Sequence, residues 1–485
     1  MNDMQEEWAE VELGNVCNYS KGKKPKVLKK NQTNETPLPY INIKAFEKGI
    51  YDQFTDGKKC NLCEEGDLLM VWDGARAGFA GKAKKGAIGS TLMKIEPGDG
   101  IEKNYLFYFL LSLYKKLNTN PRGVGIPHVE PRLLWDSKLI IPPLPIQRAI
   151  VTKIENLFTS LDKGIADLKK AQEQLKVYRQ AVLEKALTGQ FTVDFRKKNP
   201  QLENSEVLFQ KIQEELDANY KKACQIAAKN GERKPKDQRK NKKANNVTSY
   251  LPDIPKSWNY YRLEDVTYLV TDGTHHTPSY IEKGIRFLSV KNVRPFSIKD
   301  DYIKYISEEE HAQLVKRCNP ENGDILYTKV GATFGYAYKI ELDYEFSIFV
   351  SLCLIKPVYK YLVSDFLELL MNSEIVFRQA RQRVSGSGVP DLHLIEIRDF
   401  KIPLPAVEEQ HQIVREIESR LSVCDKVEQN ITEGLEKSEA LRQSILKKAF
   451  EGKLLSEAEI EKCKQAADYE PASVLLEKIR KEKKK

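Results

Sequence analysis

The side chains best suited to chemistry sit in two glycine-framed stretches, Trp72-Asp-Gly-Ala-Arg-Ala-Gly78 and Lys329-Val-Gly-Ala-Thr-Phe-Gly335. Glycine lets a backbone turn sharply and lets another backbone come close. The frame is shared, Gly74 with Gly331 and Gly78 with Gly335, whereas Trp72 stands against Lys329 and Arg76 against Thr333. A common frame with different side chains is what two readers of different base sequences need. Ordinary drift in a surface loop produces the same pattern. Near the second stretch, Thr274, His275 and His276, then Lys291, Asn292 and Arg294, add groups that reach phosphates and base edges. The comparable positions near the first are Lys23, Lys24, Asn42 and Lys44. Together with Trp72, Arg76, Lys329 and Thr333 they form the candidate binding set.

Catalytic chemistry finds no support. There is no GxxxxGK(S/T) phosphate loop, no GxGxxG after a strand, and no NPPY-like or FxGxG-like methyltransferase signature. Pro390-Asp391 with Glu396-Ile-Arg398 looks like a degenerate nuclease metal triad. An internal repeat disposes of it, because the matching residues are His128, Leu133 and Trp135, which cannot hold a metal. Cys60-x-x-Cys63 lacks the second pair that a structural zinc site needs, and His275-His276 lacks a third ligand. No catalytic or metal-ligating residue is therefore assigned.

The repeat organises the whole chain. The stretch Leu144–Gln190 reads as one long helix without an internal proline after Pro145. Its seam is Ile154, Leu161, Leu168, Leu175 and Val182, at the coiled-coil period. Gly189 is a plausible cap. The same pattern returns 263 residues later, with Arg179-Gln180, Ala186 and Gly189 matched by Arg442-Gln443, Ala449 and Gly452. The second seam is Ile417, Leu421, Ile431, Leu435 and Ile445. Before each helix stands a mixed domain. Tyr40-Ile-Asn-Ile-Lys44 answers to Phe287-Leu-Ser-Val-Lys291 as a strand, Gly66–Ala80 to Gly323–Ala337 without a gap, and Gly123-Val-Gly-Ile-Pro to Gly386-Ser-Gly-Val-Pro.

The sequence divides into a domain at 1–143, a long helix at 144–190, and a charged helix with a basic linker at 191–250. A second domain at 251–403, a second long helix at 404–454 and a charged tail helix at 455–485 follow. Within the linker, the basic run Lys229–Lys243 is expected to lack structure. The fold class is α+β: two similar mixed domains and two long helices pairing as an antiparallel coiled coil. The net charge of +9 favours a polyanionic partner, and the 8 cysteines are too sparse for a disulfide framework. With no apolar run of about 18 residues and a polar, acidic start, a cytoplasmic protein that makes no membrane contact is expected.

The chain resembles the specificity subunit of type I restriction–modification systems over nearly its whole length. The resemblance rests on DGTHHTPSYIEKGIRFLSVKN and YTKVGATFGY, on SGSGVPDLHLIEIRDFKIPLPAVEEQHQIV, and on RQAVLEKALTGQ with RQSILKKAFEGK. The first domain departs from it: the DGTHxTP string is missing, and Pro145-Ile-Gln-Arg reads as three residues shorter than the PLPxxxEQ pattern. The resemblance implies a non-catalytic subunit whose two target-recognition domains read the halves of a bipartite, asymmetric site in double-stranded DNA. It implies two methyltransferase subunits as partners, joined by two restriction subunits where the restriction enzyme forms. S-adenosylmethionine, Mg and ATP would belong to those partners, with no cofactor in this chain. A two-headed coiled-coil adaptor without DNA, or an orphan DNA-binding subunit lacking a working methyltransferase, are the alternatives.

Overall fold

The computed structural model of the chain describes residues 8–123, 125–240, 251–384 and 390–482. It divides into two compact units, Met1–Lys170 with Ile431–Lys485, and Ala171–Asn430. Val124, residues 241–250 and the Ser385–Val389 part of the second glycine match lie outside the described residues.

In the first unit, an antiparallel sheet runs in the order Cys17–Lys21, Leu92–Pro97, Leu68–Val71, Ala80–Lys82. The strand Leu68–Val71 is apolar at every position because both its faces are covered. Leu68 and Met70 face a cluster with the helix Lys103–Thr119, and Leu69 and Val71 face Ile41, Cys63, Ile88 and Leu92. A second sheet is ordered Phe54–Thr55, Leu38–Ile41, Gly86–Ile88, Leu62–Cys63, with Tyr40 and Ile41 pairing parallel to Ala87 and Ile88. The strand Ala9–Glu12 closes on Lys138–Ile141 just before the first long helix.

The second unit repeats this topology. Thr267–Asp272, Leu352–Pro357, Ile325–Thr328 and Ala337–Lys339 form the first sheet, and Lys304–Ile306, Ile285–Leu288 and Phe346–Ile348 the second. Tyr260–Arg262 closes on Lys401–Pro403. One stretch differs from its sequence expectation. Ile43 and Lys44 do not extend the strand Leu38–Ile41; they open the helix Ile43–Lys48, because Asn42 caps it by accepting a hydrogen bond from the Ala45 N–H at 2.8 Å. The second domain has a hairpin, Val293–Arg294 with Ser297–Ile298, in the corresponding place.

The two long helices are Leu144–Leu187 and Val407–Phe450. Both end in the same way. Gly189 and Gly452 each have φ of +73°, and their N–H groups donate to Ala186 O and Ala449 O while Gln190 and Lys453 reach Lys185 O and Lys448 O. Both also start alike. Buried Gln147 donates to Gly100 O and Pro142 O and accepts from Glu102 N; buried Gln410 donates to Tyr361 O and Pro405 O and accepts from Val363 N. Gln147 thus stands where Gln410 does, with Pro142 answering to Pro405. The first helix start is not three residues short; its proline pattern is merely reworded.

Within each unit the helix segments run antiparallel. In the first, Arg442 pairs with Asp162, and Leu168 packs over Gly434, where an added Cβ would meet Leu168 Cδ1 at 3.1 Å. In the second, Arg179 pairs with Asp425 at 2.6 Å and Glu428 at 2.9 Å. Of the seam residues, Ile154, Val182, Ile417, Ile431 and Ile445 are buried, whereas Leu161, Leu168, Leu175, Leu421 and Leu435 are half-buried, as two helices alone can cover each other only partly. Buried Cys424 belongs to the same stripe.

The charged helix Ser205–Lys229 packs Leu208, Ile212 and Leu216 into the core of the second unit. The basic run that follows it is not free of structure as far as it is described. Residues 232–240 fold back on this helix through Arg239, which pairs with Asp217 at 2.7 Å and Asp237 at 3.0 Å, and through Tyr220 Oη on Pro235 O. Asp217 on the helix and Asp237 in the run together hold Arg239. Among the described residues no helix is long and apolar enough to cross a membrane.

Candidate nucleic-acid interface

In each domain the same backbone bonds hold three loops together. The first loop leaves the strand Cys17–Lys21 at Gly22, or Thr267–Asp272 at Gly273. A Cβ on Gly22 would lie 2.1 Å from Gly89 O, and one on Gly273 2.0 Å from Ile348 O, so only glycine permits this crossing. The second is the glycine-framed loop, whose Gly74, Gly78, Gly331 and Gly335 all have positive φ. The third precedes a short helix and contributes Pro127 and His128, or Pro390 and Asp391. Gly74 N donates to Pro127 O at 2.8 Å and Gly331 N to Pro390 O at 2.9 Å. Val129 N reaches Trp72 O and Leu392 N reaches Lys329 O, both at 2.9 Å.

A charged clasp crosses these loops, and its sign is reversed between domains. In the first, Asp73 is central, 3.0 Å from Lys21 Nζ and 2.6 Å from His128 Nδ1. In the second, Lys329 is central, 3.7 Å from Asp272 and 3.9 Å from Asp391. The repeat places Lys21 opposite Asp272 and His128 opposite Asp391. The second clasp is the more buried, with side-chain exposures of 7% for Lys329 and 3% for Asp272. Asp272 is held further by Arg317 at 2.6 Å and His275 at 3.3 Å. A cavity of about 230 Å³ beside it is lined by Thr274, His275, His276 and Arg317.

The candidate binding residues divide by environment. Lys23, Lys24 and Lys291 are exposed, as are His275 and His276. His276 receives a hydrogen bond to its ring or gives one from it at buried Thr274 Oγ1, 2.8 Å away. Lys44 pairs with Asp52 at 2.7 Å. Arg76 lies over the Phe79 ring at 4.0 Å and pairs with Glu47 at 3.2 Å, half exposed. Thr333 is half-buried and its carbonyl accepts from Thr328 Oγ1. Arg294 folds back on its own backbone at Val290 O and Val293 O.

Three of them have internal work. Trp72 packs on the first core, stacked 6.4 Å from Trp135. Lys329 is enclosed in its clasp. Asn292 is 1% exposed; its Oδ1 accepts from Ser289 N, and its Nδ2 donates to Lys299 O and Asp301 O, like the Asn42 cap of the other domain. Sequence reading gave no binding or positioning role to Lys21, Asp73, His128, Asp272, Asp391 and Arg317; Asp391 and His128 entered it only through the dismissed metal triad. The signal was in the repeat, where Lys21 against Asp272 reverses a charge and His128 against Asp391 exchanges an imidazole for a carboxylate.

The residues considered for metal serve the fold. Cys63 is buried, and burial pushes its thiol up to about 11. Glu396 caps the helix Leu394–Arg398, and Arg398 donates to Val270 O. No group of ligands that could hold a metal occurs among the described residues.

A family model described as the type I restriction modification DNA specificity domain matches residues 5–170 and 255–437. The type I restriction enzyme EcoBI specificity subunit of Escherichia coli is 26% identical over 493 residues, spanning 99% of this chain and 93% of that protein. The MjaVIII specificity subunit of Methanocaldococcus jannaschii is 24% identical over 428 residues, 85% of this chain and 86% of its own. A solved structure from work on the complex assembly and conformational transition of the type I R-M system has the same fold, with a TM-score of 0.62 at 17% identity over 92% of this chain and 98% of that one. With both domains and much of both helices matched, the chain belongs to the type I restriction–modification DNA specificity family, as a non-catalytic specificity subunit.

Proposed function

We propose that each domain reads one half of a bipartite, asymmetric DNA site through its three clasped loops, and that the long helices dock two methyltransferase subunits. The observation that carries this reading is the pairing of identical backbone bonds with different side chains in the two loop sets. A fixed frame keeps the approach to a duplex the same, while altered side chains change the bases read. The exposed cations Lys23, Lys24 and Lys291 suit phosphates, and Arg76, His275, His276 and Thr333 suit base edges. Asn42, Lys44, Asn292, Arg294, Trp72, Thr274 and Lys329 act as the frame that presents them.

The helices support the docking half of the proposal in the opposite way. Their starts and caps repeat bond for bond, as binding the same partner twice requires. S-adenosylmethionine, and where restriction subunits join the complex also Mg and ATP, would be brought by those partners to act on adenines beside the site. The test is a map of methylated adenines in the source genome with and without this gene. One bipartite motif should vanish on deletion; an unchanged map refutes the proposal. Binding should also weaken steeply with salt, because phosphate contacts release counterions.

A further inference from the structure

The hairpin of the second domain places an aromatic ring where sterics favour glycine. Val293 pairs with Ile298 and Arg294 with Ser297, which leaves Pro295-Phe296 as a two-residue tip. Phe296 has φ of +59°. A turn with proline first and positive φ second asks for glycine there, and a bulky side chain is a steric outlier. In the first domain the residue at the same separation in the repeat is Gly49, at φ of +64°, where it caps the helix Ile43–Lys48 and no side chain has to bear the left-handed backbone. Burial does not explain the exception, since Phe296 is 45% exposed.

The backbone that carries the ring is held firmly. Val293 is fully buried beneath the hairpin and Ile298 packs against the same core. Asn292 ties the base of the hairpin through Lys299 O at 3.2 Å and Asp301 O at 3.1 Å. At the tip, Phe296 N donates to Ala337 O at 3.2 Å, and Ala337 lies two residues beyond Gly335 of the glycine-framed loop. Exposed Lys291 lies in the turn Ser289–Asn292 that leads into the hairpin. A strained aromatic on a tethered hairpin therefore sits beside the strand that leaves the proposed reading loop.

We propose that Phe296 is a specificity-determining residue of the second domain, contacting the apolar surface of a DNA base in its half-site. The contact is made either with a thymine 5-methyl group or with the face of a partly unstacked base, both known uses of phenylalanine at DNA. Strain of this kind persists where the surrounding structure holds it in place, and such residues cluster at ligand-contacting sites. The inference rests on the reading that this domain binds duplex DNA.

The test uses the full-length chain, its Phe296→Gly variant, and a duplex carrying the site mapped by methylation. Phe296→Gly relieves the strained tip, so its melting temperature should equal or exceed that of the parent. Its affinity for the mapped site should fall roughly tenfold, a loss of about 1.4 kcal/mol. Affinity for a duplex scrambled in both halves should not change. Replacing thymines one at a time by uracil, or adenines by fluorescent 2-aminopurine, separates the two contacts. A uracil penalty seen with the parent and absent from the variant marks the methyl group, whereas a fluorescence rise seen only with the parent marks an unstacked base. Unchanged affinity of Phe296→Gly for the mapped site overturns the inference while leaving the domain's DNA reading intact. A parent that does not prefer its mapped site overturns both.

Discussion

Asp73 and Lys329 cross the same three loops with opposite charge, and their partners are exchanged to match. The clasp therefore fixes loop position rather than a particular sign. Lys329→Met should leave Asp272 with Arg317 and His275 as its remaining partners and half-exposed Asp391 to solvent, and so destabilise the second unit by about 1–3 kcal/mol, less than stripping a buried charge of every partner. In the first domain, where Lys21 is 45% exposed, Asp73→Lys should cost less. Combining it with Lys21→Asp should recover much of the loss, which chemical denaturation of both single variants and the pair will measure. A pair no better than the worse single change would deny the clasp its role. Glu368 offers a second test at this scale. Burial raises its carboxyl to about 7, although Lys339 N donates to it at 2.8 Å. Its folded value lies above its unfolded one, so its contribution is full below the ordinary carboxylate range and is lost as pH rises to about 7. Across that window the second unit should lose stability, by at most about 1.4 kcal/mol per pH unit. Glu368→Gln should flatten the profile. At the matching position the first unit has Phe107, so its stability should not carry this dependence.

At the scale of elements, the long helices were the most legible part of the sequence, because a seven-residue apolar period survives whatever surrounds it. Their caps were legible too, since Gly189 and Gly452 sit at one fixed separation. The hairpin and the short helix were not. Tyr40–Lys44 and Phe287–Lys291 look alike, yet Asn42 caps a helix in one and Asn292 ties a hairpin in the other. Asn42 is matched by Ser289 and Ala45 by Asn292, so a change of two polar side chains redirects the backbone, and a shared strand pattern does not register it. The clasps were hidden because only the fold brings their members together, although the repeat held the paired exchanges. In the seam, half-buried Leu168 packs over Gly434, so Leu168→Glu would replace that apolar contact by a carboxylate at the helix–helix face. The expected loss is about 1–3 kcal/mol, as for an unpaired polar group brought into apolar contact. Circular dichroism melts would register it; an unchanged melting temperature means that the helices do not pack there.

At the scale of the molecule, the chain is two copies of one design whose parts have diverged unevenly. Helix starts, helix caps and loop backbones agree bond for bond, whereas clasp charges, hairpin and loop side chains differ. Each clasp and each glycine-framed loop lies wholly inside one unit, so the two recognition surfaces share no residue. Their effects on binding should therefore add. Arg76→Ala should relax one position in the half-site of the first domain, and His275→Ala one position in the other, each by roughly 1–3 kcal/mol if the contact is to a base edge. Lys291→Ala should weaken binding on every sequence and reduce the salt slope, as loss of a phosphate contact does. The double variant Arg76→Ala with His275→Ala should relax both halves by the sum of the single effects. Methylation mapping of the four strains reads this directly, because each relaxed position appears as a degenerate base in one half of the motif. If Arg76→Ala and His275→Ala degrade the same half, the assignment of one domain to each half is wrong, and the divergence of the loop side chains between copies needs another cause.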